Sequence, residues 1–242
     1  TFRSVICAKF RVAKSSRVML RKFYGQSHRV TEQLISMQKP WWAHLVWALA
    51  AGVLGFVIAA VFAGIFQLPR NIYLIPYVLF VSAFLYAYVR WRCVDVMGVL
   101  RHHLVWGLVG AVVVGFATVQ TVLIQPASPP PQGMELGFDL IWLGIVYGAI
   151  DGLLLAVLPV FATWKATEIK GWTNQWRGRI ASGALALVIS LVVIGLYHVG
   201  YPELRGPEVL TIMIGVGITS LAYLITGNPL TPVLGHIAMH IA

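Results

Sequence analysis

At 242 residues, 59% hydrophobic and only 11% charged, with a mean hydropathy of +0.80, the chain is too apolar for an ordinary soluble domain. Its formal net charge of +10 is first a topology signal. Nucleic-acid binding is an unnecessary reading, because the cations are distributed between apolar runs as a collar for one leaflet.

The first 40 residues are basic, contain several serines and carry one acid, Glu32. They lack the apolar core of a secretory signal, and although the composition is similar to that of an organellar transit peptide, a retained cytoplasmic arm resting on anionic lipid is the plainer reading. The alternative use is a docking arm for a partner complex. Residues 41–242 are read as one transmembrane domain.

Runs long enough to cross a hydrocarbon layer of about 30 Å as helix follow in order. They cover residues 41–66, 72–89, 104–125, 137–163, 181–200 and 208–226, with a shorter run from 230 onward. The expected fold is an all-α integral membrane protein, a bundle of six to seven transmembrane helices. The first three spans hold few polar groups and read as support. The last run ends without a polar cap, so the chain is expected to continue or the helix to stop within the bilayer.

Lys and Arg number nine before the first span, three between spans two and three, and four between spans four and five, whereas the other side receives only Arg70 and Arg205. By the positive-inside rule the N-terminus is cytoplasmic. The most natural location is a bacterial inner membrane. Trp41, Trp42, Trp91, Trp164, Trp172 and Trp176 map to span ends on the same side, where amphipathic rings prefer to lie. The linker holding Trp172 and Trp176 is expected to lie along the interface as a short amphipathic helix. The Pro-rich loop at 126–133 is expected on the opposite side.

Of the ionisable residues inside these apolar runs, Asp151, His198, His236 and His240 are the ones singled out. Each costs roughly 2.5 to 3.5 kcal/mol to insert, which marks all four as functional candidates. Gly144, Gly148 and Gly152 repeat every four residues on span four, a small-residue stripe that lets another helix backbone come close. Asp151 lies within about 20° of that stripe on the helix wheel and about 18 Å from the basic end, so it points into the bundle near mid-membrane. A carboxylate at that depth needs a partner or a proton, and the histidines are the candidates. His236 and His240, four apart, share a helix face. Asn228 or Thr231 can cap their helix, with Pro229 or Pro232 at its first position.

Several uses compete. His198, His236 and His240 with a carboxylate have the donor set of a tetrahedral zinc site, and a single buried histidine can ligate a haem or a chlorophyll magnesium. The plainer uses are an interfacial histidine at a helix end for His198, hydrogen-bonded packing residues for His236 and His240, and a protonated acid bonded to a backbone carbonyl for Asp151.

The order of an acid in span four, LYHVGYPEL closing span five, then TGNPLTPVLGHIAMH resembles the CPBP family, the CAAX prenyl proteases and bacteriocin-processing enzymes, over residues 144–242. The resemblance implies a membrane endopeptidase in which Asp151, His198, His236 and His240 are the catalytic positions. His236 matches the histidine of the family's His-x-x-x-Asn motif, with His240 at the Asn place. His198 matches that of Phe-x-x-x-His, with Ile194 at the Phe place. The family's Glu-Glu-x-x-x-Arg motif is broken, since Asp151 stands with Gly152 and Ala156 under one alignment, or with Ile150 and Leu155 under the other.

One carboxylate and the Arg are therefore lost. The reading that follows is a catalytically degenerate accessory or scaffold subunit, with membrane lipid and other membrane subunits as partners. Its alternative is an active endopeptidase cleaving hydrophobic or prenylated peptides, with Asp151 as base, His198 and His236 polarising, and His240 as oxyanion donor. Straight helices would spread these residues over heights of about 9 to 26 Å. A shared site then requires the Gly227–Pro232 turn to enter the bundle.

Overall fold

The computed structural model describes residues 40–123 and 132–242. The basic arm and most of the Pro-rich loop lie outside the described residues. Helix α1 runs over Trp41–Ile58 and continues to Ile65 in wider π-type turns. Helix α2 spans Arg70–Arg92, the short α3 Val96–Arg101, and α4 Leu104–Leu123. Span four, α5, extends over Met134–Ile169. It is followed by α6 at Trp176–Val199, α7 at Glu208–Thr226 and α8 at Leu230–Ile241.

Six of these helices are long and apolar enough to cross a membrane, and no strand occurs among the described residues. The expected all-α bundle is what the chain forms. Helix α8, at 12 residues, rises only about 18 Å and is too short to span by itself.

Local chemistry sets the helix ends. Arg90 and Arg92 stand in the last turn of α2, where cations complement the C-terminal dipole. Cys93 then takes a left-handed φ of 53° and closes the turn on the Arg90 carbonyl. Asp95 caps α3 by accepting from the Gly98 amide at 3.0 Å. The linker after span four differs from its expected form. Helix α5 runs on to Ile169, Gly171 turns at φ 74°, and a single 3₁₀ turn at Trp172–Asn174 leads into α6. Too few residues remain between the two helices for a separate interfacial helix.

Helix α5 is the centre of the bundle: its apolar stretch is 61% buried, against 28–33% in the other five spans. Helix α8 lies in the angle between α4 and α5. Its entry turn is fully buried at Asn228 and Thr231. The Asn228 amide donates to the carbonyls of Leu100, at 2.9 Å, and His102, at 2.6 Å, while its carbonyl oxygen accepts from the Leu230 amide at 2.9 Å. Thr231 donates to the Gly107 carbonyl at 2.9 Å. Pro229 stands at the N-cap of α8 with no side-chain cap of its own, so neither expected capping residue occupies that position: Asn228 reaches the Leu230 amide from one residue earlier, and the Thr231 hydroxyl serves α4. His44 and Tyr88, bonded at 3.0 Å, tie α1 to α2 among Trp47, Phe84 and Trp91.

Candidate active site

The glycine stripe decides what meets Asp151. A Cβ on Gly144 would stand 2.8 Å from Ile241 Cγ1, on Gly148 2.8 Å from Ile237 Cα, and on Gly152 2.9 Å from Val233 Cα. Each four-residue step along α5 is matched by a four-residue step back along α8, so the helices pack antiparallel with their backbones nearly touching. The stripe is therefore filled by the chain's own last helix and is not an open docking face.

This pairing sets the histidines beside the acid. Helical Cβ atoms tilt toward the N-terminus of their own helix, and in an antiparallel pair the side chains of Asp151 and His240 lean toward each other. His240 Nε2 comes to 3.5 Å from Asp151 Oδ2. Tyr77, from α2, donates its hydroxyl to Oδ1. Asp151 is 3% exposed and His236 1% exposed, so both are inside the protein rather than facing lipid. Asp151 also ends the short α-helical run Tyr147–Asp151, between π-type segments at Leu140–Val146 and Gly152–Val157. Such widened turns recur at functional sites.

His236 Nδ1 donates to the Pro232 carbonyl at 2.9 Å. A carbonyl can only accept, so in the neutral ring the Nδ1 atom carries the proton and Nε2 presents a lone pair. That Nε2 atom is buried and has no partner within the protein, and His240 Nε2 likewise makes no hydrogen bond. Buried nitrogens without partners call for a water or a substrate group. His198 donates Nδ1 to the Ile194 carbonyl at 2.9 Å, which again frees Nε2 as the acceptor. It interacts electrostatically with Asp151 and His240, but the structure gives it no hydrogen bond to the other three candidates.

Among the described residues no three His, Cys, Asp or Glu side chains are grouped to hold a metal ion. His198, His236 and His240, the donors expected from their residue types, are not brought together as such a group. What the arrangement offers is a buried carboxylate with the His240 imidazole 3.5 Å away and His236 on the same helix face, neither Nε2 making a hydrogen bond within the protein. Groups of these types are able to exchange protons with a small polar reactant.

A cluster of phenols beside Asp151 was not singled out from the sequence. Tyr197 bonds Tyr147 at 2.8 Å and Tyr201 at 2.8 Å, and Tyr201 donates to Tyr73 at 2.6 Å. The ring of Tyr147 packs on His240 with centroids 4.5 Å apart, and the Arg70 guanidinium also lies over that ring, 5.0 Å from its centroid. Burial raises the Tyr201 phenol well above its ordinary titration range, so it stays protonated as a donor. The signal for these residues lies in their spacing. Tyr73 and Tyr77, and Tyr147 and Asp151, are each four apart on a common helix face in an apolar span, where a hydroxyl must find a partner, and Tyr201 follows Tyr197 by four residues, just past the end of α6.

The fold and this site define a polytopic α-helical membrane protein with a buried Asp–His centre. Residues 140–242 match the family model described as Type II CAAX prenyl endopeptidase Rce1-like, consistent with the CPBP family. No curated protein and no solved structure matches the chain.

Proposed function

We propose that this protein is an intramembrane endopeptidase of CPBP type, acting on a hydrophobic or prenylated peptide. The observation that carries the proposal is the buried Asp151 carboxylate with His240 Nε2 3.5 Å from its Oδ2 and, one turn along the same helix, a buried His236 Nε2 that has no hydrogen-bond partner within the protein. In the reaction, water adds to the scissile carbonyl while its proton passes to Asp151 or to the His236 Nε2 lone pair. That proton is then delivered to the departing amine, giving one acid and one amine. His240, which the resemblance casts as oxyanion donor, here faces Asp151 Oδ2 at 3.5 Å. His198 Nε2 is left to orient the peptide carbonyl or the water. Sixteen cations on one side of the spans against two on the other support a cytoplasmic N-terminus.

One observation favours the second reading, an accessory subunit of a membrane complex. Under the first alignment the missing second acid falls at Gly152, whose side-chain space is taken by the Val233 and Pro232 backbone. The missing Arg falls at Ala156, which is fully buried. The two readings separate in liposomes. Purified protein should cleave a prenylated or hydrophobic peptide, and Asp151→Asn should abolish cleavage. No cleavage by the unaltered protein, together with its recovery as a stable complex in mild detergent, would establish the accessory role instead.

A further inference from the structure

Span four supplies Asp151 but nothing that holds it. The neighbouring positions at which a second acid and an Arg are missing are Gly152 and Ala156, or Ile150 and Leu155, none of which has a side chain that can donate to a carboxylate. An Asp side chain left with only the 3.5 Å contact to His240 would be free to turn about its Cβ–Cγ bond, a torsion with a broad profile. The structure closes that freedom from elsewhere in the chain. Tyr77 lies on α2, outside the family-matching segment 140–242, and its hydroxyl donates to Asp151 Oδ1.

Tyr77 is itself fixed. It is fully buried, and its ring packs against Tyr73, Tyr147 and Tyr197 with centroids at 5.8, 5.6 and 5.5 Å. Those three hydroxyls satisfy one another in the phenol cluster, whereas the hydroxyl of Tyr77 bonds Asp151. With Oδ1 engaged, Oδ2 is the oxygen turned toward His240 and available to a water.

We propose that Tyr77 is the positioning residue for Asp151, and that the phenol from α2 does the holding for which the broken motif of span four has no residue. The proposal deepens the endopeptidase reading and rests on it for its catalytic consequence. The bond itself is testable without activity. The chain has three aspartates, Asp95, Asp139 and Asp151, so protein labelled with ¹³C at the aspartate carboxyl gives few infrared bands, and Asp151→Asn identifies the one from Asp151.

Tyr77→Phe should shift that band, whereas Tyr88→Phe, which removes a buried hydroxyl at the other end of α2, should leave it in place. In the peptide assay Tyr77→Phe should lower kcat about 10- to 100-fold, the range seen when the partners that orient metal-ligating side chains are removed, with KM little changed. An unmoved Asp151 band, or a Tyr77→Phe enzyme as fast as the unaltered one, overturns the positioning role. Cleavage that survives Asp151→Asn overturns the endopeptidase reading instead, and the band shift alone then decides whether Tyr77 holds the acid.

Discussion

Replacing Gly148 with alanine tests the contact on which the whole site depends. The added Cβ would sit 2.8 Å from Ile237 Cα, 3.0 Å from the His236 carbonyl oxygen and 3.0 Å from the Ile237 nitrogen. All three are backbone atoms, so no side-chain rotation relieves the clash and α8 must move away from α5. Carbon contacts settle at about 3.5 to 4.0 Å, which requires a displacement of about 0.7 to 1.2 Å. Overpacking of this kind costs about 1–3 kcal/mol, or an apparent melting temperature lower by about 2 to 12 °C.

The same movement separates His240 from Asp151, whose nitrogen–oxygen distance is already 3.5 Å. A misplacement of about 1 Å costs about 100-fold in rate. Gly183→Ala and Gly215→Ala are the controls, because nothing lies within 4 Å of a Cβ at either position. Alanine there should stabilise by up to about 1 kcal/mol through helix propensity. The measurement is the loss of the monodisperse peak on size exclusion after stepwise heating in mild detergent. A Gly148→Ala protein that melts with the two controls would refute the backbone packing of α8 on α5, and with it the geometry assigned to Asp151 and His240.

Two further variants probe the supports of the site. Asn228→Ala leaves the carbonyls of Leu100 and His102 and the amide of Leu230 without their side-chain partner; at about 1–3 kcal/mol for each buried group left unsatisfied, the same melting assay should register one of the largest losses of any polar truncation, and an unchanged midpoint would contradict the buried turn. Ser190 donates to the Leu155 carbonyl at 2.8 Å and contacts Ser220 at 2.7 Å. A double-mutant cycle of Ser190→Ala and Ser220→Ala should give a coupling of only about 0.6 kcal/mol, as for polar pairs between membrane helices; strict additivity would show that the two hydroxyls do not bond.

The spans were legible because hydrophobic length is a local property. Six of the apolar runs reappear as spanning helices with ends shifted by a few residues, and the shift is largest at span four, where Met134–Ile169 extends beyond 137–163. Polar residues at helix ends carry no penalty once they reach the interface, so a count of apolar residues stops short. The linker at 170–175 failed as an amphipathic helix for a related reason. Tryptophans one turn apart signal an interface, but they do not say whether the flanking helices will absorb the residues between them.

The candidate residues were legible one by one, and their arrangement was not. Placing Asp151, His198, His236 and His240 by rise per residue put them at different depths, because that arithmetic treats side chains as points on straight, independent helices. In the fold, opposite Cβ tilts on antiparallel helices bring Asp151 and His240 together, while His198 remains bonded to its own helix at Ile194.

By itself the sequence determined a helical membrane bundle, a glycine stripe facing a neighbour, and a small set of ionisable groups too costly to be incidental in lipid. These follow from composition and periodicity, which each segment carries alone. Only the tertiary structure decided that the neighbour on the stripe is the chain's own α8, that His240 meets Asp151, and that a phenol from α2 holds the acid. Those depend on which helices touch, and between helices in lipid that choice rests on close packing and polar contacts, which no single segment contains.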